Sequence, residues 1–266
     1  MYTDTVSNRD KTIEESLNRL QKLLETNPDF NISFKETQNI LEKFLGIKTN
    51  LVILNIDLVG STKMSFDLSL DKLTTIIRSF AQEMSIIISE YGGYVLKFVG
   101  DAVLAFFVFE DTTFNNKGNS ALKGDNNTIS SLYDNVIECA KKMIEVIQKG
   151  MNPLLRKYGY PDLKVRIGID YGEIAVVKYG VEVDEIDESK TKIKRIHLDM
   201  IGYTISIAVK MTSLANPNHI VIGQSLYEEI GKKQKEIFRQ QPAEQDIWKY
   251  IERSTGKSYL LYQNIN

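Results

Sequence analysis

The sequence has few of the residues that build disulfide-bonded or metal-stabilised folds. Its 266 residues include one cysteine, two histidines and five prolines. The single cysteine, Cys139, excludes a disulfide framework and a cysteine-ligated metal, and neither His197 nor His219 has a partner at metal-ligand spacing. The polar segment 1–10 has no signal-peptide core, and no apolar run reaches the roughly 18 residues of a membrane-spanning helix. We therefore expect a cytoplasmic protein that does not insert into a membrane.

Neither sign of charge is in excess. There are 33 basic and 35 acidic side chains, which gives a formal net charge of −2. A chain of this kind has no global field that would recruit nucleic acid or an anionic membrane surface. Nucleic acid is therefore not an expected partner, and any phosphate binding must be local.

The length and the hydrophobic pattern predict one main domain with a helical appendage. Apolar residues recur at helical spacing over 11–26, and a shorter helix is predicted over 34–44, just before Gly46. We assign residues 1–50 to the appendage and residues 51–266 to the main domain.

Strand and helix patterns alternate through the main domain. Strands are predicted over 51–58, 94–97, 102–109, 164–169, 173–177 and 219–222, and helices over 70–91, 131–158 and 200–216. The polar stretch 111–127 predicts a surface insertion, and the charged stretch 181–195 predicts a hairpin. The expected architecture is an α/β or α+β sandwich in which helices pack on one sheet.

Two aspartates stand where apolar strand segments end. Asp57 lies in the run LVILNIDL, which Asn55 also interrupts, and Asp101 lies in the turn between two predicted strands. A pair of rigidly held carboxylates can bind two Mg²⁺ or Mn²⁺ ions. Either aspartate alone is explained as well by the capping of a turn or helix, so the surrounding motif decides in favour of a metal.

The residues after Asp57 form a small-residue turn that leads into a predicted helix. They are Leu58, Val59, Gly60, Ser61 and Thr62. Backbone N–H groups in such a turn, together with a helix N-terminus, can hold a triphosphate beside the metals. The turn is a weak signal when it is taken alone.

Four motifs together resemble the catalytic domain of class III adenylate and guanylate cyclases. The motifs, in family order over residues 51–262, are NIDLVGST with Asp57, LKFVGDAVLAFF with Lys97 and Asp101, VRIGIDYGEI with Arg166, and DMIGYTISIAVKM with Asp199. The resemblance implies an α+β fold with a ferredoxin-like βαββαβ core. It also implies a head-to-tail homodimer whose active sites lie at the dimer interface.

The resemblance assigns the metal and phosphate contacts residue by residue. Asp57, Leu58 and Asp101 match the positions that bind two divalent cations, Mn²⁺ or Mg²⁺, and residues 60–62 match the phosphate turn. In the family one ion lowers the pKa of the ribose 3′-OH and the other holds the triphosphate for in-line attack.

Two further residues match phosphate contacts. Arg166 resembles an arginine that contacts the β and γ phosphates, against the plainer alternative of a surface arginine on a strand. Lys257, in STGKSYLLY, is the nearest candidate for the lysine that binds the terminal phosphate in the family.

Lys97 and Asp199 match the positions that read the base. A Lys/Asp pair there resembles the adenine-reading pair, because lysine donates to a ring nitrogen and aspartate accepts from an exocyclic amine. Cytosine also presents an acceptor beside an amine, so the pair does not exclude it. A surface ion pair is the plainer alternative.

Two positions depart from the family. Ser206 and Lys210 stand where the family has an asparagine and an arginine, seven and eleven residues after the base-reading aspartate. That arginine stabilises charge on the α-phosphate, and lysine keeps the charge but lacks the planar fork. We expect Arg166, Ser206 and Lys210 to be the catalytic residues of a slower or differently organised site.

The resemblance implies a cyclase that converts a nucleoside triphosphate into a 3′,5′-cyclic monophosphate. A catalytic domain with only a short helical lead, expected here to stand alone, is similar to the pyrimidine cyclases of Pycsar anti-phage systems. This resemblance favours UTP or CTP as the substrate. It also implies a downstream effector that senses the product. The Lys97/Asp199 pair favours ATP and an adenylate cyclase instead. A non-catalytic module that dimerises or binds nucleotide is the alternative outside enzymes, supported only by the two departures.

Overall fold

The computed structural model describes residues 3–26, 34–108, 126–186, 191–242, 248–252 and 255–265. The predicted insertion over 111–127 lies outside these ranges except for its last two residues, which begin a helix. Within the described ranges, no helix is both long enough and apolar enough to cross a membrane.

Helices and one mixed sheet alternate along the chain. The helices are α1 (Thr3–Thr26), α2 (Lys35–Lys43), α3 (Ser61–Asp67), α4 (Leu70–Glu90), α5 (Asn126–Glu145), α6 (Asn152–Lys157), α7 (Tyr203–Leu214), α8 (Gln224–Glu229) and α9 (Lys232–Lys235), with a π-helical segment (Val146–Met151) between α5 and α6. The strands are β1 (Lys48–Leu58), β2 (Gly93–Val99), β3 (Ala102–Phe107), β4 (Val165–Ile186), β5 (Thr191–Ile201), β6 (His219–Gly223), β7 (Phe238–Gln241) and β8 (Leu261–Asn264).

The sheet contains the predicted ferredoxin-like core. Its strand order is β2-β3-β1-β4-β6-β8-β7, and β5 pairs with the far part of β4. The four strands β2, β3, β1 and β4 are antiparallel neighbours, whereas β6 runs parallel to β4 after the crossover through α7. This order and direction confirm the α+β fold with a βαββαβ core.

One expectation about the strands is wrong. Residues 164–169 and 173–177 were expected as two strands around a break, but they belong to the continuous strand β4. The supposed break, residues 170–172, pairs with residues 51–53 of β1, and this neighbour keeps the backbone extended. The predicted hairpin over 181–195 is confirmed, because residues 175–186 of β4 pair antiparallel with residues 191–201 of β5.

Both faces of the sheet are covered. Alternate residues of β1 from Val52 to Leu58 pack against α1, α4 and α5, whereas Leu51 and Ile53 face α2 and the folded-over β5. This alternation explains the nearly continuous apolar run of β1, since a strand buried on both faces needs apolar side chains on both.

The two N-terminal helices bury side chains against the main domain. Leu20 of α1 and Leu41 of α2 are almost fully buried. The Arg19 guanidinium of α1 also donates to both carboxylate oxygens of Glu83 in α4, at 3.0 and 2.7 Å. The division of the chain at residue 50 stays a prediction.

Helix α7 lies directly on the backbone of β4. A Cβ atom at Gly168 would stand 2.3 Å from the Ala208 carbonyl oxygen and 2.6 Å from the Thr212 hydroxyl. The helix therefore approaches the sheet as closely as it does only because this strand position lacks a side chain.

We expect Gly168→Ala to destabilise the protein by about 1–3 kcal/mol, because the added methyl group must push α7 away from β4. Urea unfolding measures the change. Gly180→Ala in the same strand is the matched control, since a Cβ there meets nothing within 4 Å. Equal unfolding free energies for the two variants would contradict the close packing of α7.

Candidate active site

Asp57 and Asp101 come together at one end of the sheet. Asp57 is the penultimate residue of β1, and Asp101 lies in the turn between β2 and β3. Because β1 pairs with β3 up to Ile56↔Val103, the turn is held beside Asp57. The two carboxyl groups lie within hydrogen-bonding range of each other, and their role as a metal pair stays a prediction.

The contact between the two acids alters the titration of Asp57. Partial burial is the main cause, and the hydrogen bond and repulsion from Asp101 add to it, so that the pKa of Asp57 rises to about 6. The Leu58 backbone N–H and the positive charge of Arg166 act in the opposite direction. One oxygen of Asp101, Oδ2, is buried without a hydrogen-bond partner.

These properties fit a divalent cation. Two adjacent carboxylates, one with a raised pKa and one with an unpartnered buried oxygen, are hard oxygen ligands whose repulsion a cation would relieve. The described residues contain no cluster of three or more Asp, Glu, His or Cys side chains that would enclose a metal. The side chain of Leu58 is buried in the core, so this residue can contribute only a backbone carbonyl, and its role stays a prediction.

Arg166 stands directly opposite Asp57. The two residues are partners in the β1–β4 register. The Nε atom of Arg166 is buried and has no hydrogen-bond partner in the described residues. An unsatisfied guanidinium N–H opposite the Asp57 carboxylate is available to an anionic oxygen, and the phosphate contact of Arg166 stays a prediction.

The predicted phosphate turn directly precedes a helix. Gly60 has φ +76°, a left-handed conformation that favours glycine, and caps α3 at its N-terminus. Ser61 begins the helix, and Thr62 in its first turn is exposed. The turn therefore has the predicted conformation, and its contact with phosphate stays a prediction.

Lys97 and Asp199 form an ion pair, although 102 positions separate them in the sequence. Strand β5, which carries Asp199, folds over the second face of the sheet because its Leu198 and Met200 are buried there. The side chains of Lys97 and Asp199 remain 43% and 25% exposed, so a ligand can reach both. The Met200 N–H donates to the second oxygen of Asp199 at 2.8 Å.

The remaining predicted residues lie on other exposed surfaces. Ser206 and Lys210 are exposed one turn apart on α7, and the apolar residue Val209 on the same helix is 43% exposed. Lys257 is exposed, and its backbone N–H contacts the Thr255 hydroxyl at 3.3 Å. No hydrogen bond or ion pair among the described residues links these side chains to the carboxylate pair.

The sequence interpretation missed one buried polar cluster. The Tyr259 hydroxyl donates to Asp170 at 2.8 Å and lies 2.9 Å from the Ser225 hydroxyl. Burial raises the pKa of Asp170 to about 7. The sequence pattern assigns no role to either residue, because Asp170 stands between two predicted strands and Tyr259 lies 89 positions away, so no local signal joins them.

The sequence profile of the adenylate and guanylate cyclase catalytic domain family matches residues 47–247 of the chain. The chain therefore belongs to this family. Two curated relatives are named cytidylate cyclase. The Escherichia coli protein is 26% identical over 185 residues, 68% of this chain and 35% of its own length. The Staphylococcus aureus protein is 28% identical over 188 residues, 68% of this chain and 38% of its own length. The chain thus spans little more than a third of these relatives.

A solved structure supports the fold. The guanylyl cyclase Cya2 matches with a TM-score of 0.58 at 17% sequence identity, over 82% of this chain and 93% of the other. The similarity of fold covers nearly the whole of the solved domain.

We expect Mn²⁺ to raise the Tm by about 5 °C at pH 7.5, if it is present at roughly a hundred times its Kd. Without metal, the raised pKa of Asp57 stabilises the folded state below about pH 4, and this contribution is lost as pH rises through about 6. Protons therefore compete with the metal, and the Mn²⁺ effect should shrink at pH 5. Thermal melts of the wild type and Asp57→Asn measure both effects.

The exposed Asp71→Asn variant is the control for this experiment and should retain the full Mn²⁺ effect. An equal increase in Tm for Asp57→Asn and Asp71→Asn would show that Mn²⁺ binds elsewhere.

Proposed function

We propose that this chain is a nucleotide cyclase that converts CTP into 3′,5′-cyclic CMP and pyrophosphate as a head-to-tail homodimer. The observation that carries the proposal is the contact between Asp57 and Asp101 opposite Arg166, with buried unpartnered polar atoms on Asp101 and Arg166. Its occurrence in a chain of the cyclase family gives this contact a defined chemistry.

The proposed reaction is an in-line displacement at the α-phosphorus, in which different residues bind the metal ions and orient the phosphates. Asp57 and Asp101 would hold two divalent cations, Mn²⁺ or Mg²⁺, and such ions would supply positive charge that neutralises the triphosphate and favours ionisation of the ribose 3′-OH. Arg166 and the turn from Gly60 to Thr62 orient the phosphates, and Lys257 binds the terminal one. The bond from the 3′-oxygen to the α-phosphorus forms as the bond to pyrophosphate breaks.

A second subunit completes the site in this proposal. Lys210 and Ser206 are exposed on α7 and make no described contact with the carboxylate pair of their own subunit. In a head-to-tail dimer they approach the partner's carboxylates, where Lys210 stabilises the charge that develops on the α-phosphate. The exposed apolar residues Val209 and Tyr203 of α7 support a contact surface there.

Lys97 and Asp199 read the base. In the free subunit the Lys97 ammonium donates to the Asp199 carboxylate. A base that replaces this contact must offer an acceptor to Lys97 and, beside it, an amine that donates to Asp199. Cytosine does so through N3 and its exocyclic amine. The names of the two curated relatives support CTP as the substrate.

ATP is the second candidate, because adenine presents the same pair of groups and Lys97 and Asp199 resemble the family's adenine-reading pair. UTP stays a prediction of the sequence comparison with pyrimidine cyclases. The anti-phage role and the downstream effector rest on that same resemblance and stay predictions. The presence of both acids favours catalysis over a non-catalytic cyclase-homology module.

We expect the protein, incubated with Mn²⁺ and an equimolar mixture of CTP, UTP, ATP and GTP, to form cyclic CMP as the main product. Asp101→Ala should abolish the product without unfolding the protein, because Asp101 lies in a turn and its loss leaves no core cavity. Mass spectrometry identifies the product, and circular dichroism checks the fold. Cyclic AMP as the main product would contradict CTP, and undiminished activity of Asp101→Ala would contradict the metal assignment.

We expect Lys210→Ala to lower kcat on the order of 10²-fold, comparable to removing one oxyanion donor. Because the charge on the α-phosphate grows only as the reaction proceeds, KM should change little. Mixed dimers of Asp57→Ala and Lys210→Ala subunits should regain activity, since one of their two sites is intact. Verified heterodimers without activity would argue against shared sites.

A further inference from the structure

A buried polar contact joins β1 to α7 on the second face of the sheet. The side-chain amide of Asn55 donates to the Thr212 hydroxyl oxygen at 2.9 Å. The Thr212 hydroxyl in turn donates to the Ala208 carbonyl at 2.9 Å. Asn55 is 5% exposed and Thr212 is 2% exposed. Asn55 follows Leu51 and Ile53 on the same face of β1, so the amide interrupts an apolar surface.

The contact restricts how α7 can sit on the sheet. Apolar side chains tolerate a small slide or rotation, whereas a hydrogen bond depends on direction and leaves an unsatisfied buried group when it breaks. A satisfied polar pair inside an apolar layer therefore favours one arrangement of the two elements. The absence of a side chain at Gly168 sets how closely the same helix approaches β4, but it does not set the direction in which the helix lies.

The contact also lies between the two halves of the proposed site. Asn55 precedes Asp57 by two residues on the same face of β1, and Thr212 follows Lys210 by two residues on α7. Gly168 in turn follows Arg166 by two residues on β4. The exposed face of α7 is therefore positioned relative to the strands that carry Asp57 and Arg166.

We propose that Asn55 and Thr212 are positioning residues for the cyclase reaction: their buried hydrogen bond sets the register of α7 on β1 and thereby places Lys210 and Ser206 in the partner's active site. The inference rests on the proposed function and on its head-to-tail dimer. Both residues are buried, so their proposed role is to position α7 and not to contact the substrate.

Loss of the hydrogen bond between Asn55 and Thr212 should displace α7 and leave the carboxylates of Asp57 and Asp101 in place. Strand β1 is hydrogen-bonded to β3 on one side and to β4 on the other, so it keeps its place when Thr212 is changed. Helix α7 has no such ladder and can shift. Thr212→Val in the homodimer should therefore lower kcat about tenfold, as expected for a small misplacement of a catalytic group, with KM within about threefold. Thr212→Ser keeps the hydroxyl and should stay within about twofold of the wild type.

Mixed dimers test this assignment. The parent heterodimer combines an Asp57→Ala subunit, which supplies α7 to the intact site, with a Lys210→Ala subunit, which supplies the carboxylates. Thr212→Val in the Asp57→Ala subunit should lower kcat about tenfold. The same substitution in the Lys210→Ala subunit should change kcat by less than about twofold, because the α7 helix of that subunit serves only the inactive site.

The outcomes separate the inference from the proposed function. If Thr212→Val lowers kcat equally in either subunit of the heterodimer, the role of Thr212 is merely structural. That result would overturn the inference but not the proposed function. An inactive parent heterodimer would overturn the shared site, and the inference with it. Ser79→Ala is the matched control: it removes another buried hydroxyl bonded within a helix, on the opposite face of the sheet, and should leave kcat unchanged.

Where Thr212→Val alone does not fold, the double variant Asn55→Leu/Thr212→Val leaves no unsatisfied polar group and gives the same readout. A double variant with wild-type Tm and wild-type kcat would overturn the inference, because it would show that apolar packing alone positions α7.

Discussion

The repulsion between Asp57 and Asp101 is the constraint on which the candidate site depends. Two carboxyl groups share a half-buried position at the end of β1, and this arrangement raises the pKa of Asp57 to about 6. The pairing of β1 with β3 and β4 on its two sides holds the acids together against that repulsion. The pairing also brings Arg166 to the position where its charge opposes the effect. The ferredoxin-like sheet therefore holds two carboxylates close together, and a divalent cation would relieve their repulsion.

The second face of the sheet arranges the rest of the candidate site. Burial of Leu198 and Met200 folds β5 over the sheet and brings Asp199 to Lys97. Close approach at Gly168 and the bond between Asn55 and Thr212 fix α7, so that its exposed side faces away from the subunit. One subunit thus presents the Asp57/Asp101 pair, the Lys97/Asp199 ion pair and the exposed face of α7 as separate groups, an arrangement suited to the proposed site that two subunits share.

Much of this architecture could be predicted from local patterns. The apolar run through residues 51–58, the helical period over 70–91 and the turn at Asp101 each reflect spacing within a short stretch, and each lies close to its predicted place. The continuity of β4 could not be read in this way. Residues 170–172 resemble a break because of their composition, and only the neighbouring β1 keeps them extended.

The sequence by itself determined most of the elements as far as β6, the family and the acids near the end of β1, because these depend on periodicity and on motifs of a few residues. The tertiary structure alone decided which distant side chains meet. Asn55 was visible only as an interruption in an apolar run, and its partner Thr212 lies 157 positions away. Tyr259 and Asp170 lie 89 positions apart. The first pair depends on how α7 packs on the sheet, and the second on how β8 joins the sheet beside β6. Neither packing energy is contained in a local stretch of sequence.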